Sequence, residues 1–566
     1  MAEIDGGELL VRGLRAEGVE ILFAIADVSY TPIVRSAAAA GMRIVGGRHE
    51  SAEVHMADGW ARVTGGVAVA MAGMGPGVAN LVPGVINAWI EGVPVLVVAT
   101  QRTHRAHHAI RRGRFQYTPQ IDVFRPVTKF AGQVPDARRI PEYVREAFRC
   151  ALTGRPGPVY LELADEILRQ RVPEESVAFP APARYRTAPG APDAEDVARA
   201  AALLAEARRP LVLAGQGAQR AGASRALLDL VEQCGALVSG TPPARGVVPE
   251  DHAHAVNLNF PGGIEAMRTA DVVLAVGTQV GELLGYGRPP RWGEPARQKW
   301  IQLDADPASI GVNREVDVAL LGDAKLGASA LCEALRACGA ARALPEDARR
   351  IVSADRELYE KLAVAFPSDA VPIHPGHLAA QVARFFPEDA IVCFDGGNTG
   401  IWAHMAHRFR HPRSFLWTGH FGHLGTGLPY AIAAKLARPE RPVYLFTGDS
   451  ALGFNLQELE TAVREHLDLT IVVNCDYAWG MERLGQQMEM GREIGVDTAH
   501  IRYDEILRGM GGHGELVERP DQIVPAFERA VRFPGPALVQ VLVDPKANAA
   551  PPGLAQFGAM YAASDG

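Results

Sequence analysis

Short runs of β-branched and other apolar residues alternate along this chain with longer stretches of helical spacing. Val67-Ala-Val-Ala-Met71 and Pro94-Val-Leu-Val-Val98 flank a helical stretch from Val78 to Gly92, a βαβ pattern that implies a parallel sheet. Ahead of them, MAEIDGGELLVRGLRAEGVEILF reads as an amphipathic helix leading into a strand. Residues 174–193 are rich in Pro and Ala, lack periodicity and read as a linker. A second block carries the buried-strand runs Pro210–Ala214, Asp271–Val276 and Lys299–Leu303, and ends in a helical run over Leu326–Ala341. After a polar helical connector, a third block has strands at Ile391–Phe394, Val443–Phe446, Leu469–Val473 and Ala537–Val541. The pattern predicts an α/β protein of three doubly wound parallel-sheet domains at 1–173, 194–342 and 372–545, with a tail over 546–566.

Composition narrows the class of partner. The 566 residues are 48% hydrophobic with 59 Gly and 40 Pro but no low-complexity stretch, which excludes collagen-like and disordered chains. Fifty-seven basic against 65 acidic side chains give a net charge of −8 without a basic block, which argues against nucleic acid or an anionic membrane as partner. Six cysteines lie far apart with no CxxC pair, so neither a disulfide scaffold nor a zinc knuckle is expected. The apolar runs are too short to span a membrane, and the N-terminus lacks the basic-then-apolar pattern of a signal peptide. The expectation is a soluble, cytoplasmic protein.

The sharpest chemical signal lies in the third block. The strand VYLF runs into Gly448-Asp449-Ser450, a helical segment follows, and the strand LTIVV then ends in Asn474-Cys475-Asp476. In a right-handed βαβ unit both clusters sit at carboxyl ends of parallel strands, where α/β sheets bind ligands. Two carboxylates there suit Mg²⁺, which prefers hard oxygens and completes its shell with water and phosphate. Gly448 allows close backbone approach, and the amides of Ser450 and Ala451 at a helix start suit a diphosphate. Two ordinary acidic loops would give the same spacing.

The stretch GDSALGFNLQELETAVREHLDLTIVVNCDYAWG resembles the thiamine-diphosphate motif. The resemblance implies Asp449, Asp476 and the carbonyl of Ala478 as Mg²⁺ ligands, although Cys475-Asp476 stands where the family has paired Asn; Cys475 then reads as a packing residue. Gly47-Arg48-His49-Glu50 resembles the segment that supplies the family's catalytic glutamate. By that likeness Glu50 pairs with N1′ of the aminopyrimidine, against the plainer reading of a helix-start acid facing the dipole. Glu53 and His55 lack that support and read as surface or helix contacts. Gly73–Asn80, Phe115–Gln120, Asp395–Thr399 and Gly422–Gly427 resemble further parts of the cofactor site. They assign Gly75, Asn80, Gln120, Asn398 and Thr399 to cofactor binding, the Gly422 carbonyl to the 4′-amino group, and Leu424 to wedging the cofactor. The family joins two copies across this site, which implies a homodimer or homotetramer.

Acetolactate synthases, oxalyl-CoA decarboxylases and 2-hydroxyacyl-CoA lyases share this layout. Gly-Asp-Ser in place of Gly-Asp-Gly, and the absence of a clear flavin pattern at Gly277-Thr278-Gln279, resemble the CoA-using groups. Gly215, Gly217, Asp304 and Asp306 resemble an ADP site, and a tail with Phe557 and Tyr561 reads either as a lid or as a frayed end. Tyr117 and the Ala24–Ser29 loop depart from the oxalyl-CoA enzymes. The chain is therefore most similar to the 2-hydroxyisobutyryl-CoA type of lyase. That likeness implies cleavage of a 2-hydroxyacyl-CoA to formyl-CoA and a ketone or aldehyde, with Glu493 as base for the substrate hydroxyl. A pyruvate carboligase, an oxalyl-CoA decarboxylase and a cofactor-binding scaffold without turnover are the alternatives.

Overall fold

The computed structural model describes residues 2–103 and 113–552. It contains three fully parallel sheets flanked by helices, the α/β architecture expected from the alternating pattern. The chain divides into two compact units. One comprises residues 1–187 with 428–439 and 455–467, and the other holds the remainder.

In the first unit the strands lie side by side in the order Arg43–Val45, Ile21–Ala24, Ala68–Ala72, Val95–Gln101, Val159–Ala164 and Ala131–Val134. Val95–Gln101 is buried along its whole length, which is why it reads as an unbroken apolar run rather than an alternating one. A strand missed in the sequence, Glu3–Asp5, pairs antiparallel with Arg171–Pro173. Asp5 then caps the helix Gly6–Ala16 by accepting from the amide of Glu8.

A buried polar network joins three helices of this unit. Asp58 accepts from Nε of Arg62 at 2.5 Å, from Nδ2 of Asn87 at 2.9 Å and from the hydroxyl of Tyr430 at 2.9 Å. Glu91 lies 3.8 Å from Arg62. Truncating one member strands the others without water. Arg62→Ala should therefore cost about 3–5 kcal/mol, read as a lowered urea midpoint, because two carboxylates would then be buried uncompensated.

In the second unit the central sheet runs Leu237–Gly240, Pro210–Ala214, Val272–Val276, Lys299–Asp304 and Val318–Leu321. The other sheet runs Phe415–Leu416, Ile391–Asp395, Val443–Gly448, Thr470–Cys475, Ala537–Leu542 and His513–Val517. In both, the first strand in sequence is followed by a neighbour on one side, and the third strand then adds on the other. That reversal opens a crevice at the carboxyl ends of the first and third strands. In the last sheet those ends are Asp395 and Gly448, so the topology alone delivers the candidate residues to one edge. Buried Arg245 ties this unit together, with a two-pronged contact to Glu250 (2.6 and 2.7 Å) and bonds to the carbonyls of His404 and His407. No helix among the described residues is long and apolar enough to cross a membrane.

Candidate functional site

Val443–Gly448 and Thr470–Cys475 are neighbours, with Gly448 opposite Asn474. Asp449 and Asp476 follow directly, and both are buried. Tyr477 adopts a left-handed conformation (φ 54°), which turns the chain so that its amide reaches Oδ2 of Asp449 at 2.9 Å. Asp476 closes a tight turn by accepting from the amide of Ala478 at 3.2 Å, and Nδ2 of Asn548 donates to it at 2.8 Å. Burial, and next the charge of Asp476, pushes Asp449 up to about 7. Burial raises Asp476 as well. Two neighbouring carboxylates both raised by burial suit a divalent cation, which relieves both at once.

A cavity of about 630 Å³ opens at this edge. Gly396 (φ 93°) and Gly448 let two loops meet there, and Asp395 braces the first by accepting from the amides of Gly396 (2.7 Å) and Gly427 (2.8 Å). Asn398 lines the cavity and is 5% exposed, yet among the described residues neither polar atom of its side chain has a hydrogen-bond partner. A buried amide left open in this way is suited to a ligand's oxygens. Thr399 is engaged by Asn474, whose Nδ2 donates to its hydroxyl at 2.9 Å. Ser450 is less free than expected. Its amide donates to Asp449 at 2.8 Å and its hydroxyl to the Ala478 carbonyl at 3.1 Å, on a helix of only six residues. Ala451, Gly422 (φ 63°) and Leu424 also line the cavity.

In the first unit Glu50 is the first residue of the helix Glu50–Thr64. Its Oε2 accepts from Nδ2 of Asn80 at 2.9 Å, and its Oε1 lies where a Cβ on Gly77 would be only 3.0 Å away. Gly75 (φ 76°) passes so close to Gln116 that a Cβ there would sit 2.7 Å from the Gln116 carbonyl. Gln120 turns out to brace this loop. It accepts from the amide of Gly75 at 2.9 Å and donates to the Thr100 carbonyl at 3.0 Å and to Glu162 at 3.1 Å, which leaves its amide fully engaged.

Three successive parts of the chain match thiamine pyrophosphate enzymes. Residues 4–124 match the N-terminal TPP binding domain, 197–331 the central domain and 395–541 the C-terminal TPP binding domain. The chain belongs to the thiamine pyrophosphate enzyme family. Its relatives in that family carry different activities at similar distance. A probable acetolactate synthase large subunit of Methanocaldococcus jannaschii is 31% identical over 96% of this chain and 92% of its own length. The sulfoacetaldehyde acetyltransferase of Castellaniella defragrans is 30% identical over 94% and 91%. The 2-hydroxyacyl-CoA lyase of Arabidopsis thaliana is 29% identical over 96% of each chain.

Against this thiamine pyrophosphate enzyme frame, several expectations change. Glu53 and His55, read as surface or helix contacts, are not at the surface; both are fully buried on the helix Glu50–Thr64. Glu493 is exposed, lies outside the cavity lining and pairs with Nε of Arg483 at 2.9 Å. At the central sheet Gly215 and Gly217 do not offer amides to a phosphate, since these donate to the carbonyls of Val276 (2.8 Å) and Gly277 (3.0 Å). Their lack of a side chain is explained by this close approach, for a Cβ on Gly215 would lie 2.3 Å from the Gly277 carbonyl. Asp306 is turned into its own loop, accepting from Ala308 and Ser309, while one oxygen of Asp304 accepts from the Asp306 amide at 3.0 Å. Asn548 was missed in the sequence because it stands in a stretch without pattern, where nothing local marks it. Phe557 and Tyr561 lie outside the described residues.

Proposed function

We propose that this thiamine pyrophosphate enzyme is a Mg²⁺-dependent carbon–carbon lyase that cleaves a 2-hydroxyacyl-CoA, of the 2-hydroxyisobutyryl type, to formyl-CoA and a ketone or aldehyde. The observation that carries this over a pyruvate carboligase is the reach of the cavity. Beyond Asn398 and the two carboxylates, it is also lined by Phe260, Leu283, Leu358 and Arg291. Arg291 donates to the Leu283 carbonyl at 2.8 Å and has no carboxylate partner among the described residues. Pyruvate needs none of that apolar wall. A coenzyme A thioester has a long phosphorylated arm, whose methylene and dimethyl segments suit the wall and whose phosphates suit the guanidinium.

Thiamine diphosphate, when bound, supplies a thiazolium carbon that adds to the thioester carbonyl and a sink for the electron pair freed by cleavage. Asp449, Asp476 and the carbonyl of Ala478 would hold Mg²⁺, with Asn398 orienting the diphosphate. Glu50, oriented by Asn80, would hold the proton at N1′. The Gly422 carbonyl would accept from the 4′-amino group, and Leu424 would support the bent cofactor. For an ADP, Asp304 would be the better placed of the two acids, through a ribose hydroxyl, since both oxygens of Asp306 are taken within its own loop. The assembly we propose is a homodimer or homotetramer.

Glu493 would take the proton of the substrate hydroxyl. Bringing it to the cavity breaks its ion pair with the half-buried Arg483. Glu493→Gln should therefore slow cleavage by about 10²–10⁴-fold while the cofactor's C2–H exchange persists; loss of both together would make Glu493 structural. Incubation with a panel of 2-hydroxyacyl-CoAs and with pyruvate tests the reading as a whole. Formyl-CoA is the expected product, and acetolactate from pyruvate with no thioester cleavage would replace the lyase by a carboligase.

A further inference from the structure

Glu50 opens its helix, but the four residues before it, Gly46–His49, belong to no strand or helix. Any drift of that loop moves the Glu50 carboxylate with it. The amides of Arg48 and His49 lie ahead of the helix, where no turn of its own can satisfy them. Both are taken by one side chain far away in sequence. Glu458, fully buried in the same unit, accepts through Oε1 from Arg48 at 2.9 Å and from His49 at 3.1 Å. Its Oε2 accepts from the hydroxyl of Thr461 at 2.7 Å, so the carboxylate is itself held in place.

The opposite side of the loop is closed by Glu53, which accepts from the amide of Gly47 at 3.2 Å. Gly47 lies between the two acids. A Cβ there would meet Glu53 Cγ at 3.0 Å and Glu458 Oε2 at 3.4 Å. Burial raises Glu53 well above the usual carboxylate range and raises Glu458 as well. Three donors face Glu458, so it is well placed to carry charge. Other ties to this stretch, Arg464 to the Gly46 carbonyl and the 3.8 Å ion pair of Arg48 with Glu460, lie largely at the surface and hold it weakly.

We propose that Glu458 is a positioning residue for Glu50, its carboxylate fixing the Arg48–His49 backbone and thereby the place from which Glu50 acts on the cofactor. The proposal rests on the role given to Glu50 above. It does not depend on which acyl substrate is cleaved. Glu458 stands in the same stretch of chain as Asp449, so one segment of sequence carries both a metal carboxylate and the support of the cofactor acid.

Two readouts test it. In the protein without cofactor, amide hydrogen exchange reports on Arg48 and His49; in the loaded protein, exchange of the C2 proton of thiamine diphosphate reports on Glu50 without any acyl substrate. Glu458→Ala should unprotect both amides and slow C2 exchange by about 10- to 100-fold, the range expected when a reacting group is misplaced by about 1 Å. Glu458→Gln keeps an oxygen acceptor at the same reach and should restore most of the rate. Should the Ala protein fail to fold, Glu458→Asp withdraws the carboxylate by one methylene and should give the same two changes. Unprotected amides with C2 exchange at the parent rate, in either variant, would reduce Glu458 to a structural tie and overturn the proposal. Glu50→Gln is measured alongside. Parent-like exchange in that protein would remove the role of Glu50 itself, and this proposal with it.

Discussion

Asp449→Ala and Asp476→Ala are each expected to abolish binding of the Mg²⁺–thiamine diphosphate pair at ordinary concentrations. Each change would remove one of the two carboxylates proposed to hold the cation, which would leave it the Ala478 carbonyl, water and the diphosphate itself. Groups that merely support a metal ligand are worth about 10–100-fold in affinity, so loss of a ligand should reach at least about 100-fold. The structure adds a contrast between the two sites. Asp449 also accepts from the amide of Tyr477, and Asp476 from Asn548, so each truncation strands a different buried donor. Asn548→Ala should therefore weaken binding in the same direction as Asp476→Ala but by less. Calorimetric titration of thiamine diphosphate at fixed Mg²⁺ measures all three. Parent affinity in both aspartate variants would show that the two carboxylates serve the fold alone.

Glu50→Gln is expected to keep the cofactor and lose most of the activity. Gln retains an oxygen for the Asn80 amide at the same position, so the local hydrogen bond and the helix start survive. What it lacks is a proton that can be given and taken at N1′, and general acid–base groups typically contribute about 10²–10⁴-fold. The variant should therefore show unchanged binding by calorimetry together with a rate fallen by that factor, and slowed C2–H exchange. Activity close to the parent would return Glu50 to an ordinary acid at a helix start, interacting with the dipole.

Much of the fold was legible because parallel strands covered on both faces appear as contiguous apolar runs. Pro210–Ala214 is a strand at the residues expected, and Ile391–Asp395 and Ala537–Leu542 extend their expected runs by one residue. Glu3–Asp5 was not legible, since three residues at an edge carry too little pattern to stand out. Asp449 and Asp476 were legible as candidates because each directly follows a strand, and in an α/β sheet that local position already marks the ligand edge; Asn398 stood out only by its resemblance to the family's diphosphate loop.

The sequence by itself determined the three parallel sheets, the order of their elements and the pair of carboxylates at one sheet's edge, all consequences of local periodicity and chain direction. Tertiary packing alone decided which polar groups are buried and what they face. Glu53 and His55 occupy helix positions that read as surface, yet both are sealed from solvent. Glu458 sits on a short helix of the third block, but residues 455–467 pack with the first, and only that placement turns it toward the amides of Arg48 and His49. Asn548 reaches Asp476 from beyond the last strand, and Glu493 is held in solvent by Arg483. A side chain's spacing along its own helix or strand says which way it points, whereas its burial depends on the surface another segment brings over it, which no local pattern records.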